Sequence, residues 1–199
     1  MGPYDEDILY FLVHTGSRQE SGLVDGFVDS PGQFDQEFNR VVEWAEVNRR
    51  TVQCVLENIF GPMELVLDLP HNTFEVLAEG ILIRKGSVKI HSGALSILPS
   101  HLFGDVVLIQ ATPGINELLC SMSHGTGRTM SRGDAKLAAE GFDFEAMRQA
   151  VLMPSFLKNA SLTTEGPYAY RDLDDCLPLL DGYVEVIKRF GVIAYAGHL

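Results

Sequence analysis

The 199-residue chain is 46% apolar and 9% aromatic, enough to bury a core and too much for a disordered tail. Its formal net charge of −12 excludes a surface that coats nucleic acid by bulk electrostatics, though not a basic pocket inside an acidic shell. Cys54, Cys120 and Cys176 form no CxxC pair, and without a signal segment so sparse a count reads as a reduced, cytoplasmic protein.

In chain order, Ile8–Val13 (ILYFLV) is an apolar run preceded by acids, too short for a membrane span and read as a buried strand. Phe34, Phe38, Val41, Val42, Ala45, Val52, Val55, Leu56 and Ile59 recur at helical spacing, predicting one amphipathic helix over 34–59. Pro31 sets its start and Gly61-Pro62 its stop. A β-rich middle follows in runs at 63–69, 80–90, 94–99 and 105–112, with turn signals such as His91-Ser92-Gly93 between them. Two short helices are expected in MSRGDAKLAAEG and FDFEAMRQAVL. The stretch DLDDCLPLLDGYVEVIKRFG reads as helical in two pieces, capped by Asp172, and VIAYAG as a closing strand. The class is α+β, with mixed or antiparallel sheets packed on helices, and residues 1–199 read as a single domain.

The most informative stretch is SMSHGTGRTMSRGDAKL, residues 121–137. Gly125 and Gly127 remove two Cβ atoms, so backbone can approach a ligand closely, and successive amides there can form an anion nest. Arg128 offers a guanidinium fork to a phosphate, and a helix over 128–137 would put Arg128, Arg132 and Lys136 on one face. In such a corner the imidazole of His124 suits two tasks: nucleophile toward phosphorus, or general base. The same spacing equally serves a capping turn whose histidine only bonds backbone.

Other histidines punctuate the runs. His14 in VHTGSR and His71 in LPHNTFEVL leave apolar segments for polar turns, as metal ligands do, although a satisfied structural histidine is the commoner outcome. Arg84 and Lys85 in IRKGSVK read as charge protecting a strand edge. LPSHLFGD supplies Pro99, Ser100, His101 and Leu102 to a further loop, and His91 and His198 carry nothing beyond exposure.

In order, VHTGSR, WAEVNRR, PHN, RKGSVK, the Pro99–Ser100 loop, SHGTGRTMSR and EGPYAYRDLDD resemble the RtcB-type RNA ligases, from about residue 10 to the C-terminus. That family joins RNA 3′-phosphate or 2′,3′-cyclic phosphate ends to 5′-hydroxyl ends, using GTP and Mn2+, in tRNA splicing and RNA repair. The resemblance implies that His124 takes GMP as a covalent phosphoramidate, with Arg128 beside the RNA phosphate. It implies further that Gly125, Thr126 and Gly127 surround the nucleotide, that His14 and His71 bind manganese, and that Asn72 and Pro99, Ser100, His101 and Leu102 line the nucleotide site.

Departures accompany the match. Thr126 stands where the family usually has alanine, Ala194 where it has a lysine at the nucleotide, and PSHLFG where it has PGSMG. The family's first half carries an aspartate, a cysteine, a histidine and a glutamate with no counterpart here. The resemblance therefore covers the C-terminal half of a ligase, as from a truncated or split gene or a diverged paralogue, with a separate N-terminal half as a partner. A non-catalytic remnant binding guanine nucleotide or RNA phosphate, and a metal-dependent phosphohydrolase, are the other classes these residues allow.

Overall fold

The computed structural model describes residues 8–15 and 31–197. Contacts divide the chain into two compact units, residues 1–68 and 69–199. Gly16–Arg18 of the VHTGSR stretch and His198 lie outside the described residues.

In the N-terminal unit the predicted helix is α1, Pro31–Phe60. Phe34 and Phe38, one turn apart, stack with ring centroids 5.7 Å apart, and Glu46 pairs with Arg50 at 2.7 Å across the same spacing. The stop is as expected. Gly61 turns left-handed at φ +94, its N–H donates to the Glu57 carbonyl at 2.9 Å, and Pro62 cannot extend the ladder. The strand expected at Ile8–Val13 does not form: the segment has no regular secondary structure, and Ile8, Leu9, Phe11 and Leu12 are exposed. The run 63–69 is likewise unpaired. An apolar run predicts burial only when a neighbouring strand accepts its amides.

Among the described residues the C-terminal unit holds all the ladders, every one antiparallel, so α+β stands. Strands β1 (Asn72–Leu77) and β2 (Gly80–Lys85) form a hairpin. Strand β3 (Ser87–Lys89) pairs with β6 (Ser121–Ser123). Strands β4 (Leu95–Pro99), β5 (Val106–Ala111) and β7 (Val184–Phe190) make a three-stranded sheet with β5 central. The run expected over 80–90 is thus broken at Gly86, whose φ of +69 turns the chain. The first strand of the unit starts at Asn72, later than the sequence pattern placed it. YVEVIKRF, read as helix, is instead β7: Val184 and Val186 are β-branched, and the vacant edge of β5 accepts their amides. VIAYAG contributes only a parallel bridge between Ala194 and Leu152.

Helices α2 (Arg132–Ala138), α3 (Phe144–Ala150), α4 (Asn159–Leu162) and α5 (Leu173–Cys176) are short. Side chains of Ser131, Asp143 and Asp172 cap α2, α3 and α5 by accepting first-turn amides. Among the described residues no helix is long and apolar enough to cross a membrane.

Two apolar clusters support these elements. Val88, Leu98, Val107, Ile109, Ile115 and Met122 lock the sheets together. Phe144, Met147, Leu157 and Leu162 join the short helices, with Leu102, Phe103 and Tyr168 packed on their rim. Full burial of an aliphatic side chain such as Ile109 stabilises by about 1.5–3 kcal/mol.

The hairpin β1–β2 has two unlike faces. Val76 pairs with Ile81 and Phe74 with Ile83, and on that side Val76, Ile81 and Ile83 are exposed. On the other side Arg84 is buried and donates to Glu75 at 3.1 Å, to Ser121 Oγ at 2.8 Å and to the Leu119 carbonyl at 3.0 Å. Lys89 first, then Arg84, holds the Glu75 carboxyl below its ordinary range. Leu119 and Cys120 are both left-handed, at φ 53 and 52. The Arg84 bond and Cys120 N–H donating to the Ile115 carbonyl at 3.1 Å hold that costly pair. Directly after it β6 delivers His124.

Candidate active site

His124 follows β6 and faces the Gly86 turn across the β3–β6 ladder. Its backbone N–H donates to the Gly86 carbonyl at 3.3 Å, and its ring Nδ1 lies 2.6 Å from the same oxygen. A carbonyl only accepts, so Nδ1 carries the proton, and in the neutral ring the lone pair sits on Nε2. The His71 imidazole lies parallel to it, centroids 4.5 Å apart and planes 8° apart. Two expected residues, distant in sequence, are thereby face to face. His14 belongs to the N-terminal unit, where it is exposed on a segment without regular secondary structure.

Asn72 and Pro99 also arrive at this place. Asn72 Oδ1 accepts the Gly86 N–H at 3.1 Å. The Pro99 carbonyl accepts the Thr126 N–H at 3.1 Å, and a Cβ on Gly125 would lie 3.1 Å from that carbonyl, which accounts for a glycine there. The turn is therefore tied to the end of β4. It is a less open nest than the sequence implied, because the amides of His124 and Thr126 are already engaged. Thr126 is buried with its hydroxyl unpaired. Cys176 Sγ lies 4.0 Å from the Thr126 carbonyl, and burial pushes that thiol up. Ser123 Oγ donates to the Gly125 carbonyl.

In the Pro99–Leu102 loop, Ser100 closes the turn by donating its amide at 3.1 Å and its hydroxyl at 2.8 Å to the Asp105 carbonyl. Leu102 packs on the helical cluster. His101 lines a cavity of about 310 Å³ with Phe103, Tyr170, Arg171, Asp172 and Arg189. Its Nδ1 accepts the Phe103 N–H at 3.3 Å. Burial lowers its pKa, opposed by the charges of Asp172 and Asp105.

Arg128 differs most from the sequence expectation. Helix α2 begins only at Arg132, so Arg128 does not share its face with Arg132 and Lys136. It bridges instead to Tyr170, with its guanidinium 4.9 Å from that ring centroid and Nη1 donating to the Tyr170 hydroxyl at 3.1 Å. Glu165 sits 3.5 Å away and also accepts from the Tyr170 hydroxyl. Burial first, then the bond to Glu165, pushes Tyr170 up to about 12. Sequence reasoning named neither Tyr170 nor Glu165 individually, although both stand in EGPYAYRDLDD.

His71 and His124 are among the histidines whose ring nitrogens could hold a metal ion, and imidazole donors suit a divalent transition metal. Residues 33–195 match the family model described as tRNA-splicing ligase RtcB. The chain belongs to the RtcB family.

Two Escherichia coli relatives agree. RNA-splicing ligase RtcB1 of strain ATCC 25922 is 27% identical over 184 residues, covering 81% of this chain and 43% of its own length. RNA-splicing ligase RtcB of strain K12 is 35% identical over 104 residues, covering 52% of this chain and 24% of its own. The chain thus spans less than half the length of these RtcB relatives.

Proposed function

We propose that this chain carries the nucleotide-transfer centre of an RtcB-type, GTP-dependent RNA ligase. The observation that carries the reading is the His124 Nδ1–Gly86 carbonyl bond, which leaves Nε2 as the nucleophilic nitrogen. Nε2 attacks the α-phosphorus of GTP; a P–N bond forms, the bridging P–O bond to the β-phosphate breaks, and pyrophosphate leaves. The GMP then passes to an RNA 3′-phosphate, and attack by a 5′-hydroxyl expels GMP. Gly125, Thr126, Gly127, Asn72 and the Pro99–Leu102 loop surround the nucleotide in this reading, and Arg128 neutralises the RNA phosphate.

His71 and, by the resemblance, His14 would hold Mn2+, with oxygen donors from outside these 199 residues. Bound there, the ion would offset charge gathering at the phosphate. A family match from 33 to 195 crosses both units and supports reading them as parts of one family domain. Three free cysteines support a reducing, cytoplasmic setting.

The test is incubation of the chain with α-labelled GTP and Mn2+. The expected product is an acid-labile, base-stable protein label, lost in His124→Ala. Absence of label from the folded chain, with and without an added N-terminal half of an RtcB relative, would overturn the reading. Phosphate release without label or joined RNA would mark a hydrolase.

A further inference from the structure

We propose that Gly86 is a positioning residue for His124, and that the Asn72 side chain sets the Gly86 turn that does it. This rests on the nucleophilic role given to His124 above. The Gly86 carbonyl accepts twice from that one residue, from its main-chain N–H at 3.3 Å and its ring Nδ1 at 2.6 Å. Ring and backbone are thereby fixed to a single oxygen. That oxygen is aimed from behind: Gly86 N–H donates to Asn72 Oδ1 at 3.1 Å, and the next amide, Ser87 N–H, donates to the His71 carbonyl at 3.1 Å. The parallel His71 ring bounds the imidazole at 4.5 Å.

Glycine suits this position on two counts. Its φ of +69 is left-handed, and a Cβ would sit 3.3 Å from Cε1 and 3.4 Å from Nδ1 of His124. A Cβ there obliges the ring to give by a few tenths of an ångström, which loosens its hold on the carbonyl. The consequence is chemical as well as steric, because without that acceptor either ring nitrogen can carry the proton and the nucleophilic lone pair is no longer confined to Nε2.

The experiment reads the ring directly. Long-range proton–nitrogen correlation spectra are recorded on the full chain with 15N-labelled histidine, at mildly alkaline pH, without nucleotide or metal. His124 is assigned by the signals missing in His124→Ala. The wild-type ring is expected to be protonated at Nδ1. Gly86→Ala is expected to give mixed tautomers, and the rate of labelling at saturating GTP to fall about 10–100-fold, with half-saturating GTP unchanged because ground-state binding is untouched. Asn72→Ala is expected to reproduce the mixed ring, and Asn72→Asp, which keeps the acceptor, to restore it.

An Nε2–H ring in the wild type, or an unaltered ring in folded Gly86→Ala, overturns the proposal. Where Gly86→Ala does not fold, the Asn72 pair decides on the same readout. An Nδ1-protonated His124 that never takes label upholds the positioning and sinks the ligase reading, so the two fail separately.

Discussion

Two glycine turns flank His124, and they are built to opposite ends. The turn at Gly86 presents a carbonyl to the imidazole and is braced by Asn72 and His71. The turn Gly125-Thr126-Gly127 bonds elsewhere: to Pro99, through the Thr126 amide, and to Arg171, whose amide donates to the Gly127 carbonyl at 3.0 Å. One turn holds the imidazole and the other joins two loops. A glycine-rich stretch beside a histidine therefore says little about which glycine holds the ring.

Substitutions sharpen or break that contrast. Gly127 has φ +80, and a Cβ there would meet Arg171 Nη1 at 3.0 Å, so Gly127→Ala should destabilise by about 1–2 kcal/mol in denaturant titration. The His124 ring spectrum should stay unchanged, and movement of it would erase the distinction between the turns. Thr126→Ala removes an unpaired buried hydroxyl worth about 1–3 kcal/mol against about 0.8 kcal/mol of lost methyl burial, so the protein should gain about 1 kcal/mol. A loss would show that the hydroxyl has a partner after all.

The smallest effect expected is pH-dependent and involves neither turn. Burial depresses the pKa of His101, so below about 6.5 the unfolded chain binds the extra proton first. Stability should decline as pH falls from about 6.5 toward the lowered folded value. His101→Gln should flatten that segment of the curve in thermal melts across pH.

Periodic features could be read from the sequence and relational ones could not. The apolar spacing over 34–59 located α1 within a few residues, because a helix satisfies its amides internally. Ile8–Val13 and YVEVIKRF were misread because a strand is decided by its partner, and β7 found one in β5 while the first run found none among the described residues. His124 stood out by its glycine neighbours and His71 by leaving an apolar run for a polar turn, but their stacking depends on the β3–β6 pairing. Arg128 was legible as a cation. That Tyr170, 42 positions away, would accept from it was not, since nothing local encodes that contact.

The bare side of the β1–β2 hairpin, with Val76, Ile81 and Ile83 uncovered, governs how this polypeptide behaves at the bench. Concentrated stocks should self-adhere and bind hydrophobic resins. Threonine at Ile81 and Ile83 should improve handling while leaving the opposite side, where Arg84 clasps Glu75 and Ser121, undisturbed.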